Sequence, residues 1–257
     1  MSTSLQISRE GRVLRLTLNR PEKRNALSVE LCRALVSVCD EADQDRHVGA
    51  ILLDAAGGVF CAGMDLDEVL DPLAAERTAI HEQLFTLAAR LTTPLVAAVQ
   101  GPALGGGVGL LANAHVVLAA QGTSFGLTEI RIGMWPFVIF RAVVAAMGER
   151  RAVELSLTGR IFGLPEALQW GLVHEAAPAF ELDDRATAIA RHLSESSAQA
   201  ITGGLEFVRE CRGEDAASAG LIARRRRAAA FASDDFREGV EAFRGKRKPQ
   251  WPSISGL

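Results

Sequence analysis

Apolar residues along the chain recur with two periods. Residues 5–21, "LQISREGRVLRLTLNRP", carry two alternating runs on either side of Glu10-Gly11, and Pro21 ends them. That pattern predicts a β-hairpin. Behind Ser28, a suitable N-cap, Leu31, Leu35, Val38 and Ala42 fall on one helical face. "VGAILLDAA" is a short buried strand closed by Gly57-Gly58, and "VFCAGMDLDEVL" is a loop that leads into a helix. "AAERTAIHEQLFTLAARLTT" reads as one longer helix ended by Pro94. "LVAAVQ" and "HVVLAA" are strands, with a helix opening at "GGGVGLLANA" between them. "RAVVAAMGERRAVELSLTG" and "PEALQWG" are helical, and "LVHEAAP" is a short strand or loop. From Asp183 onward the pattern is helical, with a break expected at Gly203-Gly204. Strands alternating with helices predict an α/β fold with parallel pairing, followed by a helical tail.

The 257 residues are 48% hydrophobic and 23% charged, an ordinary globular balance. A net charge of −3 gives no sign of a nucleic-acid partner. The run Arg224–Arg227 is the local exception, and it reads as the solvated face of a helix that buries Leu221, Ala228 and Phe231. Cys32, Cys39, Cys61 and Cys211 form no CxxC pair and have no zinc-like spacing to a histidine, so no metal is expected. They read as reduced thiols of a cytoplasmic protein. The apolar stretch Leu95–Ala120 is interrupted by Gln100, Pro102, Asn113 and His115, which suits a buried strand–loop–helix–strand better than a membrane span.

The chemistry centres on "ALGGGVGLLA", residues 103–112. Gly107, Gly109 and Ala112 fit G-x-G-x-x-A, but Glu129 comes after the following strand has ended, so a dinucleotide site is disfavoured. A bland reading is close helix–strand packing. A third reading joins two loops. "FCAGMDL" (60–66) and the glycine triplet each follow a short apolar strand, and in a parallel sheet such loops emerge from the same edge. Small residues leave their amides open, and two converging amides form an oxyanion hole.

"NRPEKRNALS", "FCAGMDL", "GPALGGGVGLLANAHVVLA", "FGLTEIRIGMWP", "EALQWGLVHEAAP" and "FREGVEAFRGKRKPQW" occur in this order over nearly the whole chain. Together they resemble the enoyl-CoA hydratase/isomerase (crotonase) family. The resemblance implies a spiral of ββα units over residues 1–192 and a helical C-terminal oligomerisation region over 193–257. It also implies assembly as a homotrimer or homohexamer. An acyl-CoA thioester is the implied substrate, with no separate cofactor. The implied oxyanion donors are the amides of Ala62 and Gly106. The implied coenzyme A contacts are Lys23 or Arg24, Ala26, Phe60, Met64, Asp65 and Leu66, with Phe243 and Lys246 from the tail. Trp135, Pro136 and Phe137 are candidates for the acyl pocket.

Hydratases of the family carry two glutamates. The first position is Gly109 here and is vacant; the second is Glu129 in "FGLTE". An apolar setting of Phe125, Leu127, Ile130 and Ile132 should raise the carboxyl pKa of Glu129 and suit it to proton transfer. One carboxylate suffices to isomerise a 3-enoyl-CoA, and the bulky Phe137–Phe140 run should dry the site. That makes Δ3,Δ2-enoyl-CoA isomerisation the first expectation. Hydration of a 2-enoyl-CoA would need a replacement acid, with Asp65, Asp67, Glu68 and His81 as candidates. A CoA-binding protein without turnover is a further alternative, and the retained Glu129 argues against it. Trp170, in "EALQWGLV", reads as packing.

Overall fold

The computed structural model describes residues 4–69 and 74–256. The chain opens with the expected hairpin. Strands β1 (Leu5–Glu10) and β2 (Val13–Leu18) pair antiparallel, Leu5 opposite Leu18 and Glu10 opposite Val13. Gly11 turns between them at φ +57°. Helix α1 (Val29–Gln44) starts where Ser28 Oγ accepts the Leu31 amide at 3.2 Å, and it buries Leu31, Leu35, Cys39 and Ala42 along one face. Strand β3 (Ala50–Ala55) follows, then α2 (Leu66–Val69) and α3 (Ala74–Leu84). The helix expected from Ala74 up to Pro94 starts there but stops at Leu84 and gives way to a 3-10 turn at Leu87–Ala89.

Strands β4 (Leu95–Val99) and β5 (Ala103–Leu104), helix α4 (Gly106–Ala112), and strands β6 (Val116–Ala120) and β7 (Ser124–Gly126) come next. A 3-10 turn at Glu129–Ile132 leads to α5 (Phe137–Met147) and α6 (Glu149–Thr158). Gly148, at φ +81°, separates these helices where the pattern suggested one segment. The rest is β8 (Ile161–Gly163), α7 (Leu164–Trp170), β9 (Glu175–Ala177), α8 (Leu182–Ser194), α9 (Ala198–Glu210), α10 (Ala216–Phe231) and α11 (Asp234–Arg244). Gly203 and Gly204 lie within α9 and do not break it.

The main sheet has the order β1-β2-β3-β4-β6-β9, parallel throughout except for the opening hairpin. The parallel strands β3, β4 and β6 read as continuous apolar runs because both faces are covered there. Leu16, Leu18, Ile51, Leu53, Val99 and Val117 face the larger core with α1 and α4. Alternate residues Ala50, Leu52, Val96, Ala98, Leu118 and Ala120 face Leu182, Ala186 and Ala190 of α8. Each fully buried leucine contributes about 1.5–3 kcal/mol. A second, small sheet, β5-β7-β8, was not foreseen; its strands of two or three residues are too short for a period to show. Among the described residues, no helix is long and apolar enough to cross a membrane.

Most of the arginine run behaves as a surface face. Arg225 and Arg226 pair with Glu210 at 2.7 and 2.5 Å, Arg226 also with Glu206 at 2.5 Å, and Arg227 lies over the Phe231 ring. Leu221 and Phe231, expected in the core, are 60% and 53% exposed. Burial pushes the thiols of Cys39 and Cys61 up to about 12.

Candidate active site

Three loops meet above the sheet. The first follows β3. Its Phe60 and Cys61 run beside Pro102–Leu104, with the Phe60 amide donating to the Pro102 carbonyl at 3.1 Å and the Leu104 amide to the Cys61 carbonyl at 2.9 Å. Gly63, at φ +94°, turns this loop toward the glycine triplet. The second loop is the triplet itself. Gly105 adopts φ 51°, ψ −116°, which an L side chain does not tolerate. A Cβ on Gly107 would lie 2.5 Å from the Cys61 carbonyl oxygen. The glycines therefore let two backbones touch: a Cβ on Gly63 would stand 3.4 Å from the Gly106 nitrogen.

Open amides decide what this contact can do. The Ala62 amide, expected to be one oxyanion donor, instead donates to the Arg24 carbonyl at 3.0 Å. The neighbours of Met64 are held on the other side, where the Leu27 amide donates to the Gly63 carbonyl at 2.8 Å and the Asp65 amide to the Leu27 carbonyl at 3.2 Å. Among the described residues, no acceptor is found for the amides of Met64 and Gly106. The open donor in the first loop is thus Met64, two residues past the expected one. Nothing in the sequence separates the two positions, because the difference lies in which amide the 20–27 loop engages. Gly106 opens α4, where the first amides have no partner within the helix.

The third loop carries Glu129, at the start of the 3-10 turn after β7. Its Oε1 lies 3.0 Å from where a Cβ on Gly105 would stand, so the carboxyl sits against the triplet. Its Oε2 is buried and has no hydrogen-bond partner among the described residues. Burial holds this carboxyl above the ordinary glutamate range; a hydrogen bond from its own amide opposes the shift. Phe125 and Leu127 are fully buried nearby, whereas Ile130 and Ile132, expected to share that setting, turn outward at 39% and 56% exposure.

The Gly109 position is closed to any side chain. A Cβ there would collide with Ile139 Cγ2 and stand 2.8 Å from Phe85 Cε1. The Phe85 ring also abuts Gly106, with its Cζ 3.2 Å from the Cβ position, and Leu27 Cδ1 is 3.0 Å from it. Phe85 and Leu27 were not singled out from sequence, and Ile139 was named only as part of the bulky run after Pro136. Phe137 was, yet it is 74% exposed, and Val138 also faces outward. The helical turn of α5 sends Ile139 and Val143 inward instead. Pro136 is buried, and Trp135 is half-buried with its ring 5.6 Å from that of Phe140. Trp170 packs against Phe162 at 5.1 Å with the Arg151 guanidinium 4.1 Å from its ring centre, which is a structural role.

The remaining candidates divide in two. Lys23 pairs with Asp67 at 2.6 Å on the surface, and Arg24 is exposed in a left-handed conformation at φ 53°. Ala26 is buried beside them, and Leu66 is half exposed. Phe60 belongs to the core. Asp65 is buried and ion-paired to Arg20 at 2.9 Å, so it braces the loop rather than lining an open wall. Glu68 accepts the Val29 amide at 2.9 Å. His81 is half-buried on α3, one turn before Phe85. Phe243 is 86% exposed, and Lys246 follows at φ 50°, both remote from any core of this chain. Clefts of about 350 Å³ and 300 Å³ lie elsewhere, beside His115 and Arg209 and beside Arg12 and Asp43, and neither includes Glu129.

Comparison with known proteins shows the family and the fold. Residues 8–253 match the family model described as enoyl-CoA hydratase/isomerase. An enoyl-CoA hydratase of Mycobacterium tuberculosis, EchA19, is 32% identical over 252 residues, 95% of either chain. The 2,3-dehydroadipyl-CoA hydratase of Escherichia coli is 33% identical over 97% of this chain and 98% of its own. A crystal structure of an enoyl-CoA hydratase from Mycobacterium smegmatis superposes with a TM-score of 0.92 over 97% of this chain and 99% of that one, at 29% identity. This chain, with a crotonase fold and one buried carboxyl set against the glycine triplet, is an enzyme of the enoyl-CoA hydratase/isomerase family.

Proposed function

We propose that the protein converts a 3-enoyl-CoA to the conjugated 2-enoyl-CoA, with Glu129 as its single acid–base group. The observation that carries this reading is the closure of the Gly109 position by Ile139 and Phe85, which leaves no room for a second carboxylate. Glu129 takes a proton from C2 of the substrate. The charge passes to the thioester oxygen, where the amides of Met64 and Gly106 hold it, and the carboxylic acid returns the proton at C4. Two such donors are worth several kcal/mol of transition-state stabilisation. A carboxyl raised above its ordinary range is a better base near neutral pH. Proton transfer of this kind requires no cofactor beyond the coenzyme A of the substrate. Lys23 and Arg24 are the residues proposed to meet its phosphates, for which Lys23 must first leave Asp67.

The names of the relatives favour a second reading, hydration of a 2-enoyl-CoA. That reaction is best served by a group that activates water. Asp65, Asp67 and Glu68 are each engaged, with Arg20, Lys23 and the Val29 amide. Assembly as a trimer or hexamer remains part of the proposal, supported by the exposed Leu221, Phe231 and Phe243 of the tail helices.

Separate incubations with a 3-enoyl-CoA and a 2-enoyl-CoA of equal chain length test the assignment, read by the absorbance of the conjugated thioester. A rise with the first and no change with the second is expected. A loss with the second would make the protein a hydratase.

A further inference from the structure

Among the described residues, no side chain hydrogen-bonds the buried Oε2 of Glu129, and the hydrogen bond that lowers the pKa of the group comes from its own amide. Its position beside Gly105 therefore rests on the 3-10 turn that carries it. Within that turn, the Arg131 amide donates to the Thr128 carbonyl at 3.0 Å and the Met134 amide to the Glu129 carbonyl at 3.1 Å. Such local bonds set the shape of the turn but do not fix it to the rest of the molecule.

The attachment comes from the end of α6, the second helix after the turn. Gly159 ends α6 in the left-handed conformation, φ +59°. Arg131 Nη2 donates to the Gly159 carbonyl at 2.6 Å. This carbonyl lies at the negative end of the α6 dipole, where a guanidinium is favoured. Ile130 closes the other side: a Cβ on Gly159 would lie 2.7 Å from Ile130 Cγ2 and 3.4 Å from Arg131 Cγ. Two consecutive residues of the Glu129 turn thus clasp one bare glycine. The exposure of Ile130 means that this clasp is not simply an extension of the core.

The structure assigns Arg131 as a positioning residue that ties the Glu129 turn to the end of α6 and so holds the carboxyl against the oxyanion-hole loop. It touches no reacting atom. The assignment rests on Glu129 being the acid–base group, as proposed above. Placement errors near an ångström at a reacting group cost up to about 100-fold in rate.

The test uses Arg131→Met and Arg131→Lys in the full chain, alone and combined with Glu129→Gln, assayed on whichever enoyl-CoA the wild-type protein turns over. Arg131→Met is expected to lower kcat between about 10- and 100-fold with KM unchanged. The acidic limb of its pH–kcat/KM profile should move toward an ordinary carboxyl as Glu129 gains access to water. Arg131→Lys, which keeps one donor for the Gly159 carbonyl, should recover part of the loss. In the Glu129→Gln background, Arg131→Met should lower the residual rate no further. Wild-type kcat and pH profile in Arg131→Met would overturn the assignment. So would an equal fall in the Glu129→Gln background, because Arg131 would then act on the fold at large. Full turnover by Glu129→Gln alone would refute the acid–base reading itself, a separate outcome.

Discussion

At the scale of single residues, the acid–base role proposed for Glu129 is set against a burden on stability. Its folded carboxyl titrates above the unfolded one because burial disfavours the charge. Its contribution to stability is therefore full below the unfolded glutamate pKa, and it is lost as pH rises through the folded value. Glu129→Gln should cut turnover by about 10²–10⁴-fold while raising the melting temperature at neutral pH. The stability gain should vanish in melts run near pH 4. Gly109 makes the complementary case. Gly109→Ala overpacks the Ile139–Phe85 contact and should cost about 1–3 kcal/mol in denaturant unfolding. Ile139→Ala alone empties a buried site and is costly, but the double variant should lose less than the sum of the two single changes. Sequence already marks Glu129 and the empty second position. It does not show what fills the vacancy, since Phe85 and Ile139 arrive from α3 and α5 and meet only in the folded chain.

At the scale of elements, two histidines show how strand ends are secured. His115 Nδ1 accepts the Leu95 amide at 2.9 Å while its own amide donates to the Leu95 carbonyl at 2.8 Å. His174 repeats the pattern with Val117, at 3.0 and 2.9 Å. Each Nδ1 must be unprotonated to accept. Burial lowers the His115 pKa, so its contribution is full above the unfolded value near 6.5 and is lost as pH falls through the folded one. His115→Asn, which keeps an acceptor in nearly the same place, should show a flatter loss of melting temperature between pH 7 and pH 5 than the wild type. Helix α9 gives the opposite lesson. Gly203-Gly204 reads locally as a break, yet the helix runs through it, and no atom lies within 4 Å of either Cβ position. Propensity is a weak prior once a helix is held by its neighbours. Gly203→Ala should therefore stabilise the protein by about 0.5–1 kcal/mol, measured by chemical denaturation. The strands of the main sheet were legible because both sheet faces are buried. The β5-β7-β8 sheet was not, although it positions two of the three active-site loops.

At the scale of the whole molecule, the site exists because the chain brings residues 63–64, 105–106 and 129 to one place. Apolar strands predict that the first two loops share a sheet edge, and the ordered motifs predict the family. The choice of amide was not accessible from spacing. Ala62 and Met64 differ only in what the 20–27 loop leaves open, and that is a property of the assembled fold. The proposed reaction rests on the same assembly: one carboxyl, two amides, and apolar side chains where a second acid would stand. Mass spectrometry of the acyl-CoA recovered after incubation with a 3-enoyl-CoA tests this most directly. The account predicts a product of unchanged mass that absorbs as a conjugated thioester. Accumulation of a product heavier by one water would contradict it, because water would then be activated without a second carboxylate at the Gly109 position, which Ile139 and Phe85 crowd.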